Sequence, residues 1–428
     1  MTSESRSVDE PSRLDREAAA RASFVKMSPR KWLLIRCFEK ALSPLARMVK
    51  GLSSADSAIV QGEIKNILVV EYWQLGDVVI LLPFLRALRR NFPRARISWV
   101  VNPKVLPLIE NQGLVDELIP IRVPWAQHFS RWRKYNLCSP FWLDLARGLR
   151  YLRERRFDLA LTGRMDIRDN LFVWLSGAKR RVGYGVGGGS SFLTNIATPD
   201  LERPHRTHIW LHLLDCLGLS VEDSYPLLTL SNEQRAFAHG FLAEQGIAEE
   251  ELIVGIHPGA GIPLRRWGSL NFQNVGERLV REYSARILWF QDPSQATERE
   301  RLPPGFVPIS LSLPEFMSVL SRCTALICND SGPMHIANAL GVPVVAIFGP
   351  QQPAWFGPQG EFSRAVYRPE IWCRPCFDYC MFDQPYCLRL ISAESVYNSA
   401  RELVELHRSR KESYRGDKRN LAVDQATR

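Results

Sequence analysis

The sequence runs to 428 residues, too long for one ordinary core and long enough for two domains, each able to bury a substantial interior. Hydrophobic residues make up 46% and charged residues 23%, a composition that excludes a disordered or fibrous chain. No run approaches the roughly 20 apolar residues of a membrane-spanning helix. The start of the chain, with Glu4, Asp9, Glu10, Asp15 and Glu17 among its arginines, lacks the apolar centre of a secretory signal, so a cytoplasmic protein is expected.

The formal net charge of +10 points to an anionic partner. Seven Lys/Arg between Lys26 and Lys50 oppose a single acid, Glu39; a second basic cluster runs from Arg131 to Arg156 and a third follows Arg408. No helix-turn-helix, zinc-finger spacing or aromatic RNA-binding signature accompanies them. An anionic lipid surface or a phosphorylated substrate is therefore expected, and nucleic acid is not.

Residues 1–62 read as an N-terminal extension, polar up to about residue 25 and then a basic amphipathic helix. In that helix Trp32, Leu33, Leu34, Ile35, Phe38, Leu42, Leu45, Ala46 and Val49 recur at helical spacing between basic residues. It either packs on the protein's own surface or docks on a membrane at the inner face. From Ile67 short apolar runs alternate with amphipathic stretches, the pattern of a doubly wound parallel sheet. Strands are predicted over Ile67–Glu71, Ile97–Val101, Glu117–Ile121 and Phe157–Thr162, with helices over Val78–Arg90, Phe141–Arg155 and 207–218. The segment Val123–Pro140 reads as an inserted loop beside a cleft, and Gly183–Gly189 as a glycine-rich turn. After a linker near Asp223–Asn232, strands are predicted at Leu252–Ile256, 286–290, 325–328 and 343–347, with helices at 270–283, 314–321 and 333–340. The result is an α/β chain of two Rossmann-like domains, 63–225 and 245–408, followed by a basic tail, 409–428.

In open parallel sheets a ligand binds beyond the carboxyl ends of the strands. Gln74-Leu75-Gly76-Asp77 follows the first strand; Gly76 permits a tight turn, and Asp77 is either a base aimed into a cleft or a helix N-cap. His257-Pro258-Gly259-Ala260-Gly261 follows the strand at 252–256. There Gly259 and Gly261 let the backbone approach a ligand, and the Arg265 guanidinium can bridge two phosphate oxygens. Asn329-Asp330-Ser331-Gly332-Pro333-Met334-His335 follows the strand at 325–328 and opens a helix whose amides and dipole suit a diphosphate. Asp330 could accept hydrogen bonds from sugar hydroxyls, and His335 lies one turn in.

Three stretches carry a resemblance: GDVVILLPFLRALRRNFPRARISWVV from Gly76, HPGAG with the Arg265–Trp267 stretch, and NDSGPMHIANALGVPVVAIFGPQQPAWFGP from Asn329. Over about residues 64–400 the chain resembles the bacterial lipopolysaccharide heptosyltransferase family, glycosyltransferase family nine. The resemblance implies a GT-B fold, an ADP-heptose-type nucleotide-sugar donor, a cell-surface glycan or lipid-linked acceptor, and an inverting mechanism needing no metal or cofactor. It places Asp77 at the family's general base, Arg265 where the family has a phosphate-binding Lys, and Asp330, Ser331, Gly332 and His335 in the donor loop. Glu298 matches the ribose-binding acid, although Phe290-Gln291-Asp292-Pro293 replaces the glycine-rich turn before it. The expected chemistry is a single displacement in which Asp77 takes the acceptor's proton while Arg265 and the amides of Ser331 to Met334 meet the leaving diphosphate. A sugar-nucleotide epimerase and a non-catalytic glycan-binding relative are the competing readings.

Four of the nine cysteines, Cys373, Cys376, Cys380 and Cys387, form a C-x2-C-x3-C-x6-C cluster. Three readings stay open: a structural zinc site, packed thiols, or disulfides. None puts a metal in the reaction.

Overall fold

A computed structural model describes residues 29–51, 61–126, 136, 138–222, 225–292, 301–376 and 378–426. The chain divides into two compact units, one comprising residues up to Leu106 with Gly113–Ser224, the other Pro107–Gln112 with Tyr225–Arg428.

The first unit is a six-stranded, all-parallel sheet built from β1 (Asn66–Val70), β2 (Arg96–Val101), β3 (Glu117–Pro120), β4 (Leu159–Leu161), β5 (Arg180–Tyr184) and β6 (Asn195–Ala197), in the order β3-β2-β1-β4-β5-β6. β1 lies at its centre, and Leu68, Val69 and Val70 are fully buried, because both faces of a parallel sheet are covered by the helices that connect its strands. The connecting helices include α2 (Leu75–Asn91), α3 (Pro140–Arg155), α4 (Ile167–Leu175) and α5 (Arg206–Asp215). The second unit repeats the plan with β7 (Ile253–His257), β8 (Arg286–Phe290), β9 (Phe306–Ile309), β10 (Ala325–Asn329), β11 (Val344–Ile347) and β12 (Ser363–Val366), again all parallel, in the order β12-β11-β10-β7-β8-β9. Its helices include α6 (Asn232–Glu244), α7 (Ser269–Tyr283), α8 (Leu313–Leu320), α9 (Gly332–Ala339) and α10 (Ala393–Ala426). Trp267, Phe272, Trp289, Tyr397 and Val404 share one core, which fastens α10 to the sheet.

Both sheets have the strand order of a dinucleotide-binding fold, in which the connections reverse direction at the middle of the sheet. The reversal falls between β1 and β4 in the first unit and between β7 and β10 in the second. The loops that leave those four strands are where the fold leaves room for a ligand.

The N-terminal helix α1 (Pro29–Gly51) packs on the turn Ser190–Phe192. The Ser190 hydroxyl and the Ser191 amide both donate to Glu39 Oε1, at 2.9 and 3.0 Å. The opposite side leaves Leu33, Leu34 and Phe38 exposed at 63, 70 and 46%. Pro124–Ala126 form a short turn of helix with Trp125 buried and its Nε1 donating to the Tyr72 hydroxyl, 3.1 Å away. The start of the expected insertion is therefore core; residues 127–135 and 137 lie outside the described residues. The turn expected at Gly183–Gly189 begins instead as the end of β5. Its later part is a close approach: a Cβ on Gly187 would lie 1.9 Å from the Met165 carbonyl oxygen.

Candidate active site

In the first unit, β1 runs into Glu71, Tyr72, Trp73 and Gln74, and α2 begins. The N-cap is Gln74 and not Asp77; Asp77 sits at the third helical position, where its Oδ2 accepts from the Gln74 amide at 3.2 Å. The other oxygen, Oδ1, receives Arg164 Nη1 at 2.6 Å. Arg164 follows β4, across the reversal from Asp77. The residue before it, Gly163, passes close to α5, where a Cβ would lie 2.4 Å from the ring of Trp210.

The Arg164 guanidinium lies over the Trp73 ring, 4.5 Å from its centroid, with Arg168 also on that ring at 5.4 Å. Trp73 Nε1 donates to Asp169 Oδ1 at 3.1 Å, and Arg168 is paired with Asp166. Behind them Glu71 is fully buried, with Oε1 accepting from the Trp73 amide. Burial pushes the Glu71 carboxyl up to about 8, opposed by Arg164 and helped by the charges of Asp77 and Asp169. Burial and the neighbouring Asp166 raise Asp169 to about 6. Burial works against the charge of Arg164, but Asp77 and then the other carboxyls raise it above the ordinary arginine value. Arg206, at the head of α5, is lowered to about 10 by burial, with Arg164 adding repulsion.

The second unit brings the two expected donor loops together through the first residue of the Asn329–His335 run, to which the sequence reading gave no role of its own. Asn329, the buried last residue of β10, donates from Nδ2 to the Pro258 carbonyl at 2.7 Å and accepts the Trp267 amide on Oδ1 at 3.0 Å. The HPGAG turn, with Gly259 and Gly261, is thereby fixed beside Asp330. Burial lowers the His257 pKa, and its Nδ1 lies 3.2 Å from the Gly259 carbonyl. Arg265 Nη1 lies 3.2 Å from Asp330 Oδ2, and the buried side chain of Asp330 sits at the base of the loop.

α9 begins with Ser331 as N-cap, whose hydroxyl donates to the Asn329 carbonyl at 3.2 Å and caps no amide. His335 is buried one turn in. The amides expected to meet a diphosphate, from Ser331 to Met334, are not all alike in this structure. Pro333 has no N–H, the Met334 amide donates to the Ser331 carbonyl at 3.1 Å, and the Met334 side chain is wholly in the core. The amides of Ser331 and Gly332 are the ones that head the helix. Glu298 lies outside the described residues.

Cys373, Cys376, Cys380 and Cys387 line one cavity of about 190 Å³ with Trp372 and Phe382. Their thiols are free, and among the described residues no three His, Cys, Asp or Glu side chains are arranged to hold a metal ion. Neither the zinc nor the disulfide reading is met. The cluster carries something else: Asp378, in the left-handed region at φ 65°, which reaches out to Arg265.

The glycosyltransferase family 9 (heptosyltransferase) model matches residues 145–386, more than half of the chain. The chain belongs to that family. It is 23% identical over 320 residues to lipopolysaccharide heptosyltransferase 2 of Escherichia coli, covering 70% of this chain and 87% of the relative. To lipopolysaccharide heptosyltransferase 1 of Pseudomonas aeruginosa it is 26% identical over 370 residues, covering 77% and 96%. The solved structure of E. coli ADP-heptose lipopolysaccharide heptosyltransferase II superposes with a TM-score of 0.61 at 19% identity, over 81% of this chain and all of the other. This family 9 protein is a glycosyltransferase, and its two parallel six-stranded sheets are those of the GT-B fold.

The residues of this family 9 enzyme to which sequence reasoning gave no role share one signal. Arg164, Asp166 and Asp169 follow β4, Asn329 ends β10, and both strands border the reversal of their sheet. The charge-dense run Gly163-Arg164-Met165-Asp166-Ile167-Arg168-Asp169 is legible once β4 is placed there. Asp378 carried no such mark.

Proposed function

We propose that this enzyme transfers a heptose-type sugar, with inversion and without a catalytic metal, from an ADP-linked donor to a lipopolysaccharide-type or lipid-linked glycan. Asp77 is the base that removes the acceptor hydroxyl's proton as its oxygen attacks the anomeric carbon, and the diphosphate departs from the opposite face. The observation that carries this reading is the carboxylate of Asp77. It stands at the head of α2, half-buried, on the loop side of the sheet's reversal, with one donor on each oxygen and further lone pairs for a substrate hydroxyl. Arg265, the amides of Ser331 and Gly332, and the α9 dipole meet the diphosphate charge, while Asp330 and His335 hold the loop and the sugar. The relatives named above support the donor and acceptor classes, since both are lipopolysaccharide heptosyltransferases.

The test is transfer from ADP-heptose to a heptose-deficient lipopolysaccharide acceptor, with the anomeric configuration of the product read by NMR. An inverted linkage formed equally well in EDTA is expected, and Asp77→Asn should lower turnover on the order of a hundredfold with donor affinity nearly intact. Retained configuration, dependence on a divalent ion, or near-normal turnover in that variant overturns the scheme. Conversion of donor alone would favour the epimerase reading.

We also propose that the enzyme works at the inner face of the cytoplasmic membrane. No helix among the described residues is long and apolar enough to cross a membrane. The outward side of α1, with Leu33, Leu34 and Phe38 beside exposed Arg30, Arg36 and Lys40, suits an anionic lipid surface, where apolar insertion and charge attraction act together. Deleting residues 1–60 should abolish sedimentation with phosphatidylglycerol-containing vesicles; unchanged binding would give α1 a purely intramolecular role.

A further inference from the structure

Asp77 does not stand alone at the end of its sheet. Four carboxyl groups gather there, on Glu71, Asp77, Asp166 and Asp169, against three guanidinium groups, on Arg164, Arg168 and Arg206. The other acids have partners of their own: Asp166 pairs with Arg168, Asp169 accepts from the Trp73 indole, and Glu71 accepts from the Trp73 amide. The short contact of Arg164 goes to Asp77, whose side chain keeps 19% of its surface open to solvent; Asp166, open to 30%, is taken up by Arg168, and Glu71 and Asp169 are fully buried. We infer that Arg164 is the positioning residue of Asp77, holding the carboxylate in one orientation and compensating its charge from the platform of the Trp73 ring. The inference rests on Asp77 being the base.

The physical case has three parts. A half-buried carboxylate among like charges is disfavoured both by lost hydration and by repulsion, and a guanidinium at 2.6 Å is the group that offsets both. A planar guanidinium stacked on an indole has few rotamers left, so it fixes the oxygen it binds more firmly than a surface lysine could. The Gln74 amide holds the second oxygen, so the carboxylate plane is set from two sides. A base held in this way spends little orientational freedom when the acceptor arrives, and misplacement by a fraction of a bond length is costly. Arg164 touches no reacting atom in this scheme; it acts through Asp77.

Full-length Arg164→Ala, Arg164→Lys and Asp77→Asn enzymes are compared for kcat and donor KM, with and without added guanidinium chloride at concentrations well below those that unfold the protein. Arg164→Ala is expected to lower kcat by about tenfold to a hundredfold while donor KM stays put. Guanidinium ion should restore part of that loss saturably, sodium chloride at equal ionic strength should not, and Asp77→Asn should show no rescue. A merely structural Arg164 would give a lower melting temperature without guanidinium-dependent kcat, and that result overturns the inference. If the Ala variant does not fold, Arg164→Lys decides. A kcat lowered several-fold with unchanged donor KM and melting temperature supports the assignment, and wild-type kcat overturns it. The two readings separate cleanly: an active Asp77→Asn enzyme sinks the base assignment and the inference with it, whereas an inactive one beside a fully active Arg164→Ala enzyme sinks the inference alone.

Discussion

Asp378 holds Arg265 by both carboxylate oxygens, Oδ1 on Nε at 2.8 Å and Oδ2 on Nη2 at 2.7 Å, while the remaining nitrogen, Nη1, lies 3.2 Å from Asp330. Gln351 Nε2 supports the same Asp378 oxygen at 3.2 Å. The guanidinium expected to receive the donor's phosphates thus faces two carboxylates, with which a diphosphate has to compete for its charge. A diphosphate has to take over the fork that Asp378 occupies. Asp378→Asn is expected to tighten ADP several-fold by isothermal titration, because the competing charge is removed and one of the two acceptors on Arg265 becomes a donor that cannot hold the fork, while the side chain's size is kept. Weaker ADP binding in that variant would show instead that Asp378 orients Arg265 for the phosphate.

The folded state should also respond to pH through Glu71. Its carboxyl is raised by burial from an ordinary value of 4.5 to about 8, so between those limits the folded chain holds a proton that the unfolded chain releases. Stability contributed by this site is therefore greatest below pH 4.5 and declines as pH rises toward 8. Glu71→Gln keeps an oxygen for the Trp73 amide and replaces the protonated oxygen by a neutral donor. The variant is expected to unfold at higher urea than wild type at pH 8 and to show a flatter dependence over that range. Equal midpoints across the range would mean that Glu71 is already ionised in the folded protein.

How much of this was legible without coordinates depended on burial. The central strands around β1, β7 and β10 read directly, within a residue at either end, from the runs predicted at Ile67–Glu71, Leu252–Ile256 and 325–328, since a strand covered on both faces is largely apolar. The edge strands β6, β9 and β12 did not. β12 is only half-buried, β9 carries Pro308, and β6 has three residues, so none offers an uninterrupted apolar run. The glycine turns and the Asn329–His335 run marked the second unit's loops, because small residues and a helix start have sequence signatures. Pairings set by tertiary approach left no such trace. Arg164 meets Asp77 across 87 positions and Arg265 meets Asp378 across 113, and neither spacing is a motif.

Asn329 ties the two loops of the second unit, so its removal should be felt in both stability and binding. Asn329→Ala leaves the buried Trp267 amide and the Pro258 carbonyl without the side chain that satisfies them. A loss of about 2 kcal/mol in unfolding free energy is expected, together with weaker ADP binding as the HPGAG turn drifts from Asp330. A variant that unfolds at the wild-type denaturant concentration would show that water replaces the amide.

The cysteines give the last prediction, because the structure sorts them by access and environment. Cys323 and Cys328 are buried in the second unit's sheet region, and burial raises Cys323 to about 12 and Cys328 further. Cys387 is buried as well and raised to about 11, in spite of the opposing Arg374 charge. Thiolate is the reactive form, so a thiol that is both enclosed and hard to ionise reacts slowly. With the native enzyme at pH 8, an aromatic disulfide reagent is expected to modify the exposed Cys37, Cys138 and Cys216 first and the half-buried Cys373, Cys376 and Cys380 later. Cys323, Cys328 and Cys387 should respond only after denaturation. All nine thiols should then titrate, in protein that contains no stoichiometric metal by elemental analysis. One metal per chain, or loss of the four cluster thiols from the denatured count, would show instead that the segment closes around an ion or by disulfides. Replacing Cys376 and Cys380 together by Ser should lower the melting temperature more than kcat. These two thiols line the cavity beneath the segment and flank Asp378, while the carboxylate of Asp77 belongs to the other unit. A kcat that collapses at unchanged melting temperature would place the cluster in the reaction itself.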